Sequence, residues 1–450
     1  MTFSLSAGLG LLTLGLAFAP LRAPASPLHA DVLVFVPAYE GSQLFDDNLK
    51  GSHDPTCVWG NLNVFFCSKL YFALRMPNPL EARTMRSVGP VDIYGRFIST
   101  LTRKNAHEPG FSPYKPGADF FVFNYDWRQD MSRTADDLAR ALDRYAAIHA
   151  ARTGIPAGET RFVIVTHSMG GLVARTLLGA HPRWAPRLAQ MYLVGSPNTG
   201  SVKAIKTIVY GPDSIKAHAT GFPGALLNLL PTNVDQNVTK LTGITRPSLY
   251  ELLPFGDPHW TSEVTGRTPR RMTADDLLQA ASWEPYWPTA ALEKRVYIDG
   301  WLKTREAEGR KKINLPDWEF CQDPHFGPLK KLLAQTQAWH DRMGTLHHAL
   351  DLMTQPGEAT RLHLIVGTGL ETPSGVVTTG DHDTSQGSYT YLEGDGDGTV
   401  ETRRNLDGVP ATAPNVKLLH NIPHGQLMGS APFLKYIVKE LASQPMAPAR

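Results

Sequence analysis

The sequence predicts an α/β fold: a mostly parallel central sheet, helices on both of its faces, and a large inserted cap. Three observations carry that expectation. Short, continuous apolar runs alternate with segments of helical periodicity, the pattern of strands buried on both faces. One run leads through a small-residue turn directly into a helix, around residues 162–178. The alternation lapses from about residue 200 to 355 and then resumes.

Taken in order, Val32-Leu33-Val34-Phe35-Val36 reads as the first buried strand and Phe120-Phe121-Val122-Phe123 as the next. A helix follows, in which Thr134 with Asp137 fits a capping box and Leu138, Leu142, Tyr145 and Ile148 recur at helical spacing. Gly154 and Pro156 stop it. Phe162 to Val165 is a strand, Leu172 to Leu178 a helix, and Met191 to Val194 a strand. After the lapse come strands at Leu362 to Val366 and Val416 to Leu419, then a helix with Ser430 as N-cap and Pro432 in its first turn. The expected layout is therefore a leader at 1–30, core at 31–199, cap at 200–355 and core again at 356–450.

The chain has 450 residues, with 44 Lys+Arg against 42 Asp+Glu, so it lacks the excess positive charge that grips nucleic acid. The stretch from Leu5 to Phe18 is almost wholly apolar, and small residues follow at Ala23, Ala25 and Ala30. That reads as a secretory signal peptide and a secreted or periplasmic protein. An uncleaved membrane anchor is the alternative, because the terminal amine is the n-region's one positive charge. Export would permit a bridge between Cys57 and Cys67, leaving Cys321 over. No Cys/His spacing suits zinc, and nothing requires a metal or an organic cofactor.

The chemistry centres on Val165-Thr166-His167-Ser168-Met169-Gly170-Gly171, between a strand and a helix. A nucleophile elbow needs such a turn, with small residues where the backbones crowd. Gly170 satisfies this two residues after Ser168, whereas Thr166 replaces the usual Gly two before it. Serine needs a base, and the base a carboxylate to orient it. Asp395 and Asp397 in Gly394-Asp395-Gly396-Asp397-Gly398 are the acidic candidates, and spacing leaves the choice open. A calcium loop would need Gly where Val400 stands. His424, past the turn at Pro423, is preferred as base over His420 at the strand end. Met169 should supply one oxyanion N–H, and the loop after the first strand, Val36 to Leu44, the other.

At these stations the chain resembles the lecithin:cholesterol acyltransferase family of the α/β-hydrolase superfamily, which includes lysosomal-type phospholipases. The matching residues are Val36-Pro37 with Gly41 and Leu44, Asn124-Tyr125-Asp126-Trp127-Arg128, His167-Ser168-Met169-Gly170, Gly195-Ser196-Pro197, Gly394 to Val400, and His420 to His424. The resemblance implies an α/β-hydrolase fold with Ser168 as nucleophile, Asp397 as orienting acid and His424 as general base. It implies oxyanion donors at the N–H groups of Tyr39 and Met169, and a Cys57–Cys67 lid disulfide. Ala38 departs from the family's Gly, which would strain the loop if that position needed φ > 0.

The expected function is a serine esterase on lipid acyl esters, a phospholipase, lipase or O-acyltransferase working through an acyl-serine intermediate at a membrane or lipid surface. A general carboxylesterase on neutral esters is the second reading. The third is a catalytically silent lipid-binding protein. Asp126 and Arg128 read as a structural pair beside a packed Trp127, and His340, His347 and His348 as ordinary surface or core histidines. Six of the nine tryptophans (Trp260, Trp283, Trp287, Trp301, Trp318 and Trp339), with Phe222 to Leu230, suit either cap packing or a membrane-docking lid. The basic cluster Arg305, Arg310, Lys311 and Lys312 reads as a solvated face, and Asn237-Val238-Thr239 as a glycosylation sequon.

Overall fold

Six apolar strands pair in parallel: β1 (Val32–Val36), β2 (Phe120–Val122), β3 (Phe162–His167), β4 (Leu188–Val194), β5 (Leu362–Thr368) and β6 (Val416–His420). Their spatial order is β6-β5-β4-β3-β1-β2. The computed structural model describes residues 28–46, 56–62, 73–103, 110–211, 236–264, 266–299, 320–321, 323–380 and 388–447. Within β1, Val32, Val34 and Val36 enter one core while Leu33 and Phe35 enter the other. Burial on both faces is why these runs show no polar alternation.

Flanking helices are α1 (Gly95–Thr102), α2 (Met131–Thr153), α3 (Met169–Ala180), α4 (Val202–Tyr210), α5 (Gly327–Met343) and α6 (Ala431–Ala442). Helices α2, α3 and α5 fill the first core, and α1 and α6 cover the opposite face. Helix α2 starts before the expected capping box. Asp130 is its N-cap, accepting from the Arg133 amide, so Thr134 already lies inside the helix. Gly154 ends it in the left-handed conformation (φ 82°), and the Ser430 hydroxyl caps α6 as expected.

Residues expected to belong to the leader are part of the fold. The amide of Ala447 donates to the Leu28 carbonyl (2.8 Å) and that of Ala30 to the Pro445 carbonyl (2.8 Å). His29 is buried and holds Asp119 through its backbone amide (2.9 Å) and its Nδ1 (3.0 Å). A leader boundary at residue 30 would cut this tie.

Cap and core also interleave. Trp260–Glu263 and Arg270–Met272 form a second, four-stranded sheet with Leu370–Thr379 and Ser388–Gly396, which lie in the segment expected to be core. Conversely, α5 lies in the expected cap yet packs on α3, where Trp339 Nε1 donates to Thr176 Oγ1 (2.9 Å). Trp260, Trp283, Trp287 and Trp339 are all buried, so these four serve packing. Trp301, Trp318, Phe222 to Leu230 and the cluster Arg305, Arg310, Lys311 and Lys312 lie outside the described residues. Asn237 is buried in a helix, which withdraws the sequon from the surface. No helix among the described residues is long and apolar enough to cross a membrane.

Candidate active site

The C-terminal ends of the parallel strands converge on one cavity, as they do in open α/β sheets generally. At the end of β3, Ser168 adopts φ 52° and ψ −123°, a conformation that costs a non-glycine residue about 1–3 kcal/mol. The turn is close-packed. A Cβ on Gly170 would stand 2.4 Å from the Val36 carbonyl oxygen and 2.6 Å from that of Pro37, so only glycine fits against the end of β1. Thr166 is accommodated because its hydroxyl donates to the Tyr192 carbonyl on β4 (3.1 Å). Helix α3 begins at Met169 and directs the positive end of its dipole at the site.

The expected base and its expected acid meet at two points. His424 Nδ1 lies 2.7 Å from Asp397 Oδ2, and the His424 amide donates to the Asp397 carbonyl (2.8 Å). Asp397 Oδ1 accepts from the amides of Thr399 (3.0 Å) and Val400 (2.8 Å). A carboxylate on Nδ1 makes that nitrogen the N–H donor and leaves Nε2 as the acceptor. Asp395 is engaged elsewhere, taking hydrogen bonds from Gly369 N (2.7 Å), Thr402 Oγ1 (2.6 Å) and Thr368 Oγ1. Burial raises its pKa, but these donors outweigh burial and hold the carboxyl below its usual range. The geometry thus separates two acids that spacing left equivalent. Gly367 on β5 makes the approach possible, since a Cβ there would lie 2.5 Å from that of Asp397. Ser168 and His424 line the same cavity without a hydrogen bond between them. Such bonds are commonly loose before substrate binds. His420 does not line the cavity.

The loop after β1 supplies the facing wall. The amides of Tyr39 and Met169 have no hydrogen-bond partner among the described residues. Ala38 is not strained: the positive φ of this loop falls on Glu40 (59°), so the departure from Gly costs nothing there. The Tyr-Asp-Trp-Arg segment grips the loop from behind. Tyr125 Oη donates to the Pro37 carbonyl (2.7 Å), and Trp127 Nε1 to the Ser42 carbonyl (3.2 Å). The Tyr39 ring packs edge-on to Trp127, and Tyr39 Oη accepts from Arg246 (2.9 Å). Burial pushes the Tyr39 phenol up to about 12.

The cavity measures about 270 Å³, and its walls are largely apolar, built from Trp59, Met85, Val88, Ile93, Leu249 and Leu252. It suits an acyl chain better than a charged ligand. Among the described residues no group of His, Cys, Asp and Glu could hold a metal. Cys57 is a free thiol donating to the Trp59 carbonyl (3.1 Å), and Cys67 lies outside the described residues.

Three histidines, the buried His167 and the half-buried His340 and His363, resist protonation. Burial, and then the neighbouring His424, lowers the pKa of His167 to about 3. Burial, and then Arg175, lowers His340 to about 3, and burial lowers His363 to about 4. These folded-state values lie below an unfolded value near 6.5, so the unfolded chain binds more protons as the pH falls below that point. Their contribution is complete above about pH 6.5 and is lost progressively as the pH falls, to about pH 4 for His363 and about pH 3 for His167 and His340. For His167 the slope reaches at most ~1.4 kcal/mol per pH unit. Urea unfolding at pH 7, 5.5 and 4.5 should show falling stability, with a shallower fall in His363→Gln. Identical slopes in the two proteins would remove His363 from this account.

Comparison with known proteins bears on the family and the fold. The family model described as lecithin:cholesterol acyltransferase matches residues 104–405, well over half of the chain. No curated protein matches. A chain in the crystal structure of the Tle4-Tli4 complex is similar in fold, with a TM-score of 0.57 at 12% identity over 93% of this chain and 98% of that one. The mature Bacillus licheniformis lipase BlEst2 covers 94% of this chain and 96% of its own at 11% identity, with a TM-score of 0.32. The chain therefore belongs to the lecithin:cholesterol acyltransferase family, on the α/β-hydrolase fold, and to its general chemistry, that of lipid acyl esters.

Proposed function

We propose that the chain is a serine esterase that cleaves acyl esters of lipids, with glycerophospholipids as its substrate class. The observation that carries this reading is the shared apolar cavity, onto which the strained Ser168 and the Asp397-bound His424 both open. His424 Nε2 takes the Ser168 proton as Oγ attacks the ester carbonyl. The oxyanion that forms is received by the N–H groups of Tyr39 and Met169. Collapse breaks the ester bond, and His424 returns the proton to the departing alcohol. Water, deprotonated by the same histidine, then attacks the acyl-serine, releasing a fatty acid and restoring Ser168. Hydrolysis is proposed ahead of transfer because water needs no site of its own, whereas an acceptor alcohol does.

Product analysis on phosphatidylcholine vesicles, with and without a long-chain alcohol, tests the proposal with Ser168→Ala as control. Free fatty acid alone is the expected product. An esterified alcohol formed at the expense of free acid would make the protein an acyltransferase. Cleavage of short p-nitrophenyl esters with neither product would leave a general carboxylesterase. Full activity in Ser168→Ala would remove the serine mechanism.

We propose further that the protein is exported, on the apolar run from Leu5 to Phe18 and the small residues that follow it. Processing after Ala25, in the small-residue pattern Ala23-Pro24-Ala25, would spare Leu28 and His29, whereas processing after Ala30 would remove both. The mass of the exported protein should therefore begin at Ser26. A mature chain beginning at Asp31 would contradict this.

A further inference from the structure

The residue before the nucleophile has no role in the steps above, yet it is held by bonds on both ring nitrogens. His167 Nε2 lies 3.1 Å from the carbonyl oxygen of His424, and His167 Nδ1 lies 2.9 Å from Tyr94 Oη. Tyr94 Oη in turn accepts from the amide of Ala38 (3.2 Å). Ala38, Tyr94 and His167 are all buried.

The direction of this line is determined by its ends. A carbonyl oxygen only accepts, so His167 carries its proton on Nε2 and presents a bare Nδ1. Tyr94 must then donate its hydroxyl proton to Nδ1, which leaves its oxygen to accept from Ala38. Each hydrogen bond therefore requires the one before it. Burial and the nearby His424 keep His167 neutral at working pH, so the direction does not reverse. Packing leaves little slack. The rings of Tyr94 and His167 meet edge-on at 5.7 Å, and a Cβ on Gly41 would stand 2.8 Å from Tyr94 Oη.

We propose that Tyr94 and His167 are positioning residues, a buried line of hydrogen bonds that holds the oxyanion loop and the general base in register across the nucleophile. The proposal rests on the esterase reading above. One end of the line sets Ala38, whose neighbour Tyr39 offers the first oxyanion amide. The other end sets the backbone of His424. Without the line, two groups on separate loops would have to meet one tetrahedral intermediate with no direct tie between them. A displacement near 1 Å at a reacting centre costs about 10²-fold in rate.

Tyr94→Phe removes the hydroxyl while keeping the ring, and should lower kcat about 10- to 100-fold with KM changed less than about threefold. The rate of Ser168 labelling by a fluorophosphonate should fall in parallel, because phosphonylation uses the same base and oxyanion donors. A purely structural role would lower the unfolding temperature and leave both rates alone. The second variant pair is His167→Gln, which keeps a donor and an acceptor, against His167→Leu, which keeps neither. The Gln variant should retain about tenfold more activity. A Tyr94→Phe enzyme within twofold of the parent in kcat and labelling rate would overturn the proposal, as would equal activity of the two His167 variants, with the esterase still standing. Wild-type activity surviving in Ser168→Ala would instead overturn the esterase reading and the proposal with it.

Discussion

Asp397→Asn is expected to lower kcat on a short acyl ester by about 10⁴-fold, while Asp395→Asn stays within a few fold of the parent. The Asp397 Oδ1 bonds to the Thr399 and Val400 amides survive in the amide variant, so the loop keeps its shape. What changes is the partner of His424 Nδ1. An Asn amide that donates there forces the imidazole proton onto Nε2, leaving nothing to accept the Ser168 proton. Asp395 faces Thr368, Gly369 and Thr402 rather than the imidazole, so its replacement affects local stability rather than turnover. Steady-state kinetics of the two variants decide the matter. Equal losses would strip Asp397 of its assigned role, and a loss confined to Asp395→Asn would exchange the two acids.

Arg128→Met should destabilise the fold by about 3–5 kcal/mol in urea unfolding, the cost of breaking a buried ion pair from one side. Arg128 is fully buried and forks onto Asp126 through Nε (2.8 Å) and Nη2 (2.5 Å). Its Nη2 also donates to the Asn78 carbonyl (2.7 Å). Methionine fills much of the volume but leaves that carbonyl without its donor and the Asp126 carboxylate without its guanidinium partner, with the amide of residue 128 (3.1 Å) and Gln129 Nε2 (3.5 Å) as its remaining donors. Adding Asp126→Asn should recover part of the loss, since the stranded charge is then gone. A double variant less stable than Arg128→Met would show that the carboxylate is held mainly by other donors.

Much of the sheet could be read from the sequence because parallel strands buried on both faces are continuously apolar. The strands that escaped are those with a wet face. Ser42–Asp46, Glu81–Thr84 and the hairpin of Leu370–Thr379 with Ser388–Gly396 mix Ser, Thr, Glu and Gly with few apolar residues, and carry no continuous apolar run to mark them as strands. At the site, Ser168, Asp397 and His424 were legible from the elbow, the order of the motifs and the family resemblance together. The rest was not, because its meaning lies in distant partners. Trp127 and Tyr125 act on residues 85 and 88 positions earlier, and Tyr94 on a histidine 73 positions later. Gly367 could have been noticed as a glycine ending an apolar run, but not as the floor beneath Asp397.

The meeting of Leu28 with Ala447 bears on where the molecule can be held without obstructing its cavity. Leu28 and Ala447 join near the start of β1, while the cavity opens past its other end, a strand of five residues or roughly 17 Å away. Leu28 and Ala447 therefore lie at the opposite end of the sheet from the candidate nucleophile. Immobilisation through a residue grafted beside Ala447 for kinetic work should therefore leave the entrance unobstructed.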